Sequence, residues 1–231
     1  MAVAFDVTSE FHGSGTSASN TGSAISGSAT GLLVFALFVN TGGTTTATGI
    51  SATWAGTGMT QLGSTITIDN GSSKSLTGAI FMLANPTPGA QTLALSWTNS
   101  MNTVYYSYTS WTGTDTSTPA TNPVSTTGNA ASFTFAQSSV GASNATTSAF
   151  ITGSGTGTNT GSDDNGGSQT YLDNAGATGS TGRRAGSGTT NWTYSGITSD
   201  IGLALSVEIQ APAAGGSTST GMGLLTMGVG R

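Results

Sequence analysis

His12 is the one histidine of the chain, and Glu10, His12 and Ser14 alternate around it. In a strand these three share a face, which assembles the composition of a serine triad. A triad also needs a nucleophile fixed on an exposed turn and an oxyanion hole. Ser14 lies in a Gly- and Ser-rich stretch that offers neither, so His12 reads as a surface histidine. Asp163-Asp164-Asn165-Gly166-Gly167 is the densest cluster of side-chain oxygens. Calcium takes several oxygen ligands at close range, but the EF-hand spacing is absent, and the cluster reads as a solvated turn. Asp115, Asp163, Asp173 and Asp200 could supply a glycosidase pair only if the fold set two of them across a cleft. No spacing in the sequence requires that. Trp54, Trp97, Trp111 and Trp192, with Tyr105, Tyr106, Tyr108, Tyr171 and Tyr194, could stack on sugars. Aromatics at strand positions more often fill a core or an interface. Arg183-Arg184 is the one basic pair and reads as solvated, with a salt bridge to a neighbouring subunit as the alternative. Asn70, Asn144 and Asn191 stand in glycosylation sequons, which mean little without a signal peptide. The chain is expected to be no enzyme and to hold no cofactor and no metal.

Composition narrows the field further. Ser and Thr make up a third of the 231 residues, Gly contributes 36, and charged residues are only 6%. The absence of cysteine excludes a disulfide framework, a thiol nucleophile and a Cys-based zinc site. A net charge of -5 lacks the basic footprint of a nucleic-acid binder. The scarcity of Lys, Glu, Arg and Gln argues against a helical bundle. The start, Met1-Ala2-Val3-Ala4-Phe5-Asp6, has neither the basic residues nor the apolar stretch of a secretory signal. The longest apolar run, residues 32–39, falls far short of the roughly 20 residues of a membrane helix. No membrane partner is expected.

A chain rich in Gly, Ser and Thr could be a linker, but its apolar residues gather in blocks of strand length. Residues 31–39 are apolar on both faces and read as a central strand buried on two sides. Residues 92–98 alternate with Leu93, Leu95 and Trp97 inward. Residues 202–209 repeat that pattern with Glu208 on the outward face. Residues 104–111, 132–135, 76–83 and 50–54 read as further strands. Asn70-Gly71 signals a tight hairpin. Asn85-Pro86-Thr87-Pro88-Gly89 signals a rigid turn, because Pro fixes φ and cannot donate to a ladder. Strand spacing predicts an all-β fold, an antiparallel sandwich of jelly-roll type with long Gly/Ser/Thr-rich loops. Outward Thr suits the pleat and keeps a hydroxyl in water, but it gives edges no charge to repel a neighbour.

The chain divides into a sandwich over 1–212, with a polar N-terminal arm at 1–30, and a tail at 213–231. Within the sandwich, 153–190 reads as one long excursion or two weak strands around 168–172. The tail begins as a flexible spacer and ends apolar. Met222, Leu224, Leu225 and Met227 are its expected anchors on a partner.

Four segments carry a resemblance. Residues 32–39 are followed by Trp54-Ala55-Gly56-Thr57-Gly58-Met59-Thr60, then Leu83-Ala84-Asn85-Pro86-Thr87-Pro88-Gly89, then Gly113-Thr114-Asp115-Thr116-Ser117-Thr118-Pro119. This succession, over about residues 30–120, resembles a β-sandwich domain of bacteriophage structural proteins and bacterial surface proteins. The resemblance implies a non-enzymatic module and transfers no catalytic residue, since its motif residues serve turns. Asp115 is expected to cap its own loop. The function expected is a virion structural protein of a bacteriophage, either a capsid decoration (cement) protein or a head or tail fibre component. Its partners would be other copies of itself, as a homo-oligomer such as a trimer, and a major capsid or tail protein. Its location would be the virion. The alternative is a carbohydrate-binding or adhesin module using surface Trp and Tyr.

Overall fold

The computed structural model describes residues 2–153, 160–163, 168–174, 177–185 and 188–213. It is an all-β molecule of curled antiparallel sheets, as the spacing predicted, with no helix among the described residues. The strands are β1 (Ala4–Thr21), β2 (Ala29–Asn40), β3 (Thr48–Trp54), β4 (Thr57–Gly58), β5 (Thr60–Asp69), β6 (Ser75–Ala84) and β7 (Thr92–Thr112). They continue with β8 (Ala120–Val140), β9 (Ala145–Thr152), β10 (Thr160–Asp163), β11 (Ser168–Asn174), β12 (Ala177–Ala185) and β13 (Gly188–Ile209).

The first seven form one sheet and the last six another, and the two have the same topology. In the first, β7 pairs with β1, β2 and β3, β2 pairs with β6, and β6 with β5. In the second, β13 pairs with β8, β9 and β10, β9 pairs with β12, and β12 with β11. Element for element the second half repeats the first, and the two-residue β4 is the one addition.

Length makes each sheet curl. A strand of 21 residues such as β7, or 22 such as β13, cannot stay flat against a twisted neighbour. The first part of β7 pairs with β3 and the second with β2. The bend between them carries Asn99 at φ 71, and β1 slips register on both sides of Gly15 to follow it. The sequence reading placed two strands here, at 92–98 and 104–111; the chain passes through the intervening polar residues without leaving the ladder. β13 bends in the same way, with a register shift against β8 between Ser195 and Asp200.

Curling creates two kinds of core. Inside the first sheet lie Leu32, Val34, Ala36 and Phe38 of β2 with Trp54, Phe81, Leu93, Leu95, Trp97, Tyr106 and Tyr108. On the other face of β2, Leu33, Phe35, Leu37 and Val39 join Ala145, Ala149 and Ile151 of β9 and Leu203, Leu205, Val207 and Ile209 of β13. The all-apolar run at 32–39 is therefore a central strand covered on both sides. Phe150, Trp192 and Ala204 form a smaller cluster on the far face of the second sheet.

Several local expectations change. The segment read as a polar arm holds β1, paired along its length with β7. Around 153–190 the chain forms β10, β11 and β12. Asn70-Gly71 opens a five-residue loop, 70–74, because the Asn70 carboxamide oxygen accepts the backbone N–H groups of Ser72, Ser73 and Lys74. The two-residue turn lies instead at Ala55-Gly56, both at positive φ, joining β3 to β4.

Candidate functional site

Among the residues whose side chains are described, those read as candidate chemistry do not gather into one site. His12 is exposed on β1, and Ser14 falls in the register break between Gly13 and Gly15. Asp115 is part-exposed and occupied with its own loop. One of its oxygens accepts the Ser117 hydroxyl at 2.6 Å and the Ser117 and Thr118 N–H groups at 2.8 Å each. These bonds, the hydroxyl first, hold its carboxyl below the usual carboxylate range. Asp164 and the glycines after it lie outside the described residues, as do Met222, Leu224, Leu225 and Met227. Among the described residues no group of three His, Cys, Asp or Glu gathers to hold a metal.

The aromatic platform is overturned for every ring whose burial is described. Trp54 and Trp192 are 0% exposed, Trp111 1% and Trp97 5%. Their indole N–H groups are consumed internally: Trp54 donates to Thr87 O, Trp97 to Gly15 O, Trp111 to Thr109 Oγ1 and Trp192 to Ser206 Oγ. Trp54 meets Tyr108 edge-on at 4.9 Å, and Phe38 meets Trp97 at 5.0 Å. Tyr108 donates to Ser23 O, and Asn20 Nδ2 donates to the Tyr106 hydroxyl. Burial pushes both phenols above their ordinary range. These rings pack the curl and leave no face for a sugar.

The arginine pair is not solvated either. Arg183 is half-buried with its guanidinium 3.4 Å from the centre of the Phe5 ring, tying β12 to β1. Burial lowers its pKa from the ordinary value. Arg184 Nη1 donates to Thr190 Oγ1 at 3.2 Å.

Glu208 departs most from its sequence reading. It does point away from the inter-sheet core, but it is only 2% exposed. Oε2 accepts Asn122 Nδ2 at 2.7 Å; Oε1 accepts Asn144 Nδ2 at 2.7 Å and Gly141 N at 3.0 Å. Gln137, fully buried, donates to Asn122 O, and its own Oε1 has no partner. A buried carboxylate met by neutral donors is a structural clasp. It pins the turn at 141–144 and the β8 residue Asn122, itself at φ 51, onto β13.

Two kinds of surface feature remain, depressions and edge strands. A cavity of about 60 Å³ lies between β5 and β8, lined by Leu62, Ile66, Ile80, Pro123, Val124 and Leu205 among others. A wider depression of about 230 Å³, lined by Asp115, Thr121, Gln210 and Ala213 among others, sits where the chain leaves β13. The edge strands are the other. Among the described residues β8 pairs with β13 alone; it carries no charged residue in 21 positions, and its one Pro, Pro123, stands near one end.

No family model matches the chain, and no curated protein is similar to it. Among solved structures it is similar to the crystal structure of Cucumber Necrosis Virus, at 10% identity and a TM-score of 0.30, over 88% of this chain and 96% of that one. A likeness at that level carries no weight for fold or function.

Proposed function

We propose that this chain is a non-enzymatic structural protein of a virus particle. The finer reading is a bacteriophage capsid decoration protein or a head or tail fibre component, assembling through its sheet edges and C-terminal tail. The observation that carries it is β8. Soluble monomers guard long edges with charges, several prolines or a covering element, because an open ladder recruits another chain. Over 124–140 this edge has neither charge nor proline. Thr127 and Asn129 on it are exposed, and among the described residues its ladder is formed with β13. Such a strand suits a protein whose edge is covered in an assembly. The four tryptophans and Tyr105, Tyr106 and Tyr108 support the same reading, since they are spent on packing rather than on a ligand face.

The test has two arms. Antibodies to the protein should label purified virus particles in regular, stoichiometric copies. Thr127→Lys with Asn129→Lys should reduce that incorporation at least tenfold while leaving the far-UV spectrum unchanged, because two like charges oppose strand pairing. Absence from particles, together with glycan binding by the monomer, would refute the proposal.

A further inference from the structure

Asn70 and Gly71 stand in the loop that joins β5 to β6, and both are exposed to water. The groups around them are arranged as a small reaction centre. Gly71 N–H donates to Asp69 Oδ1 at 2.8 Å. Asn70 Oδ1 accepts the Ser72, Ser73 and Lys74 N–H groups at 3.1, 2.9 and 2.9 Å, and the Ser72 hydroxyl at 3.4 Å. Asn70 Nδ2 donates to Ser73 Oγ at 3.4 Å. A backbone nitrogen thus has a carboxylate on its proton, while the carbonyl carbon next to it, Asn70 Cγ, has donors converging on its oxygen. Gly71 is at φ 76, and a Cβ there would meet nothing within 4 Å, so no neighbouring atom crowds its Cα.

We propose that this loop is a self-modification site, at which Asn70 closes onto Gly71 N as a succinimide and ends as aspartate and isoaspartate. Asp69 takes the proton from Gly71 N as that nitrogen attacks Asn70 Cγ. The negative charge that develops on Oδ1 is received by the three N–H groups already pointing at it. The Cγ–Nδ2 bond then breaks, and Nδ2 leaves as ammonia with the proton relayed through Asp69. Water opens the ring. Cleavage between Gly71 N and Cγ leaves aspartate; cleavage between Gly71 N and the Asn70 main-chain carbonyl carbon leaves isoaspartate. The sum is one water consumed and one ammonia released, with no redox partner. Because nucleophile and electrophile belong to adjacent residues, no second molecule has to be positioned for ring closure. Asn85 and Asn122, which stand at positive φ in a turn and a bulge, each precede a proline, whose nitrogen has no proton to lose. In the isoaspartate form the main chain runs through the former side chain. The acceptor that gathers Ser72, Ser73 and Lys74 is then lost, and the loop opens while β5 and β6 stay paired.

The test follows residue 70 by peptide mapping while the full-length protein is held at neutral pH, folded or in urea. Aspartate and isoaspartate should accumulate together, and hydroxylamine present during the incubation should be captured at residue 70. The folded protein should react about tenfold faster than the unfolded chain, because only folding brings Asp69 and the three donors into place. Asp69→Asn, which keeps an oxygen acceptor but removes the base, should slow the folded protein about tenfold. Deuterium exchange at 72–74 should rise in the isoaspartate form. A folded protein that reacts no faster than the unfolded chain would overturn the proposal, whether or not the variant folds. So would aspartate without isoaspartate, which marks direct hydrolysis of the carboxamide, or an unchanged rate in folded Asp69→Asn.

Discussion

A carboxylate at position 208 alternates with inward Val207 and Ile209, so residue type alone turns it toward water. What keeps it dry is remote in sequence: Asn122, Gly141 and Asn144 close over it from three points of the chain. Both oxygens act only as acceptors. Glu208→Gln must therefore turn an amide N–H₂ toward at least one existing donor. We expect it to cost about 1–3 kcal/mol, seen as a lower urea midpoint at unchanged slope. Asp115 shows the opposite legibility. Its Asx-type loop is local, so a short stretch of sequence contains both the acceptor and its donors, and the cap was readable. The tryptophans fall between the two. Strand placement favoured a core role, but only the curl of the sheet decided that no ring is left outside.

At the level of elements, apolar runs and turn residues carried most of the reading. Residues 32–39 could be recognised as doubly covered because no polar residue interrupts either face. The long strands were not recognisable, because a bend inside a strand and a turn between strands use the same residues. Asn99 illustrates this: its positive φ suggests a turn, yet Ser96 and Met101 on either side remain paired with β1. Its side chain also donates to Thr46 O at 2.9 Å, anchoring the bend to the loop before β3. Asn99→Val places a β-branched residue in the left-handed region and should cost about 1–3 kcal/mol. Asn99→Gly should recover part of that loss, missing only the carboxamide bond. A thermal melt of the two variants side by side separates backbone strain from the lost hydrogen bond.

Across the whole molecule, the repeated topology escaped the sequence because it is a repeat of pattern and not of identity. β2 offers Leu33, Phe35 and Leu37 where β9 offers Ala145, Ala149 and Ile151. The halves are joined by residues 113–119, pinned at Asp115 N to Gln210 O and at Gln210 N to Pro119 O. Their shared core is broad enough that the covalent link should be dispensable once folding is complete. A protease site inserted at Ser117 and cut in the native protein should leave the fragments co-eluting as one species, with a single unfolding transition. Fragments that part without denaturant would show that the link, and not the core, holds them.

Like faces meet across that core, as they do in a dimer with two-fold symmetry. Two identical chains would be obliged to set every bulky group opposite its own duplicate. Fusion into one polypeptide lifts that obligation. Here β2 presents Leu33, Phe35 and Leu37 where its counterpart β9 presents Ala145, Ala149 and Ile151, so the two faces are not copies of each other. A mutation on either side can then be accommodated without being mirrored.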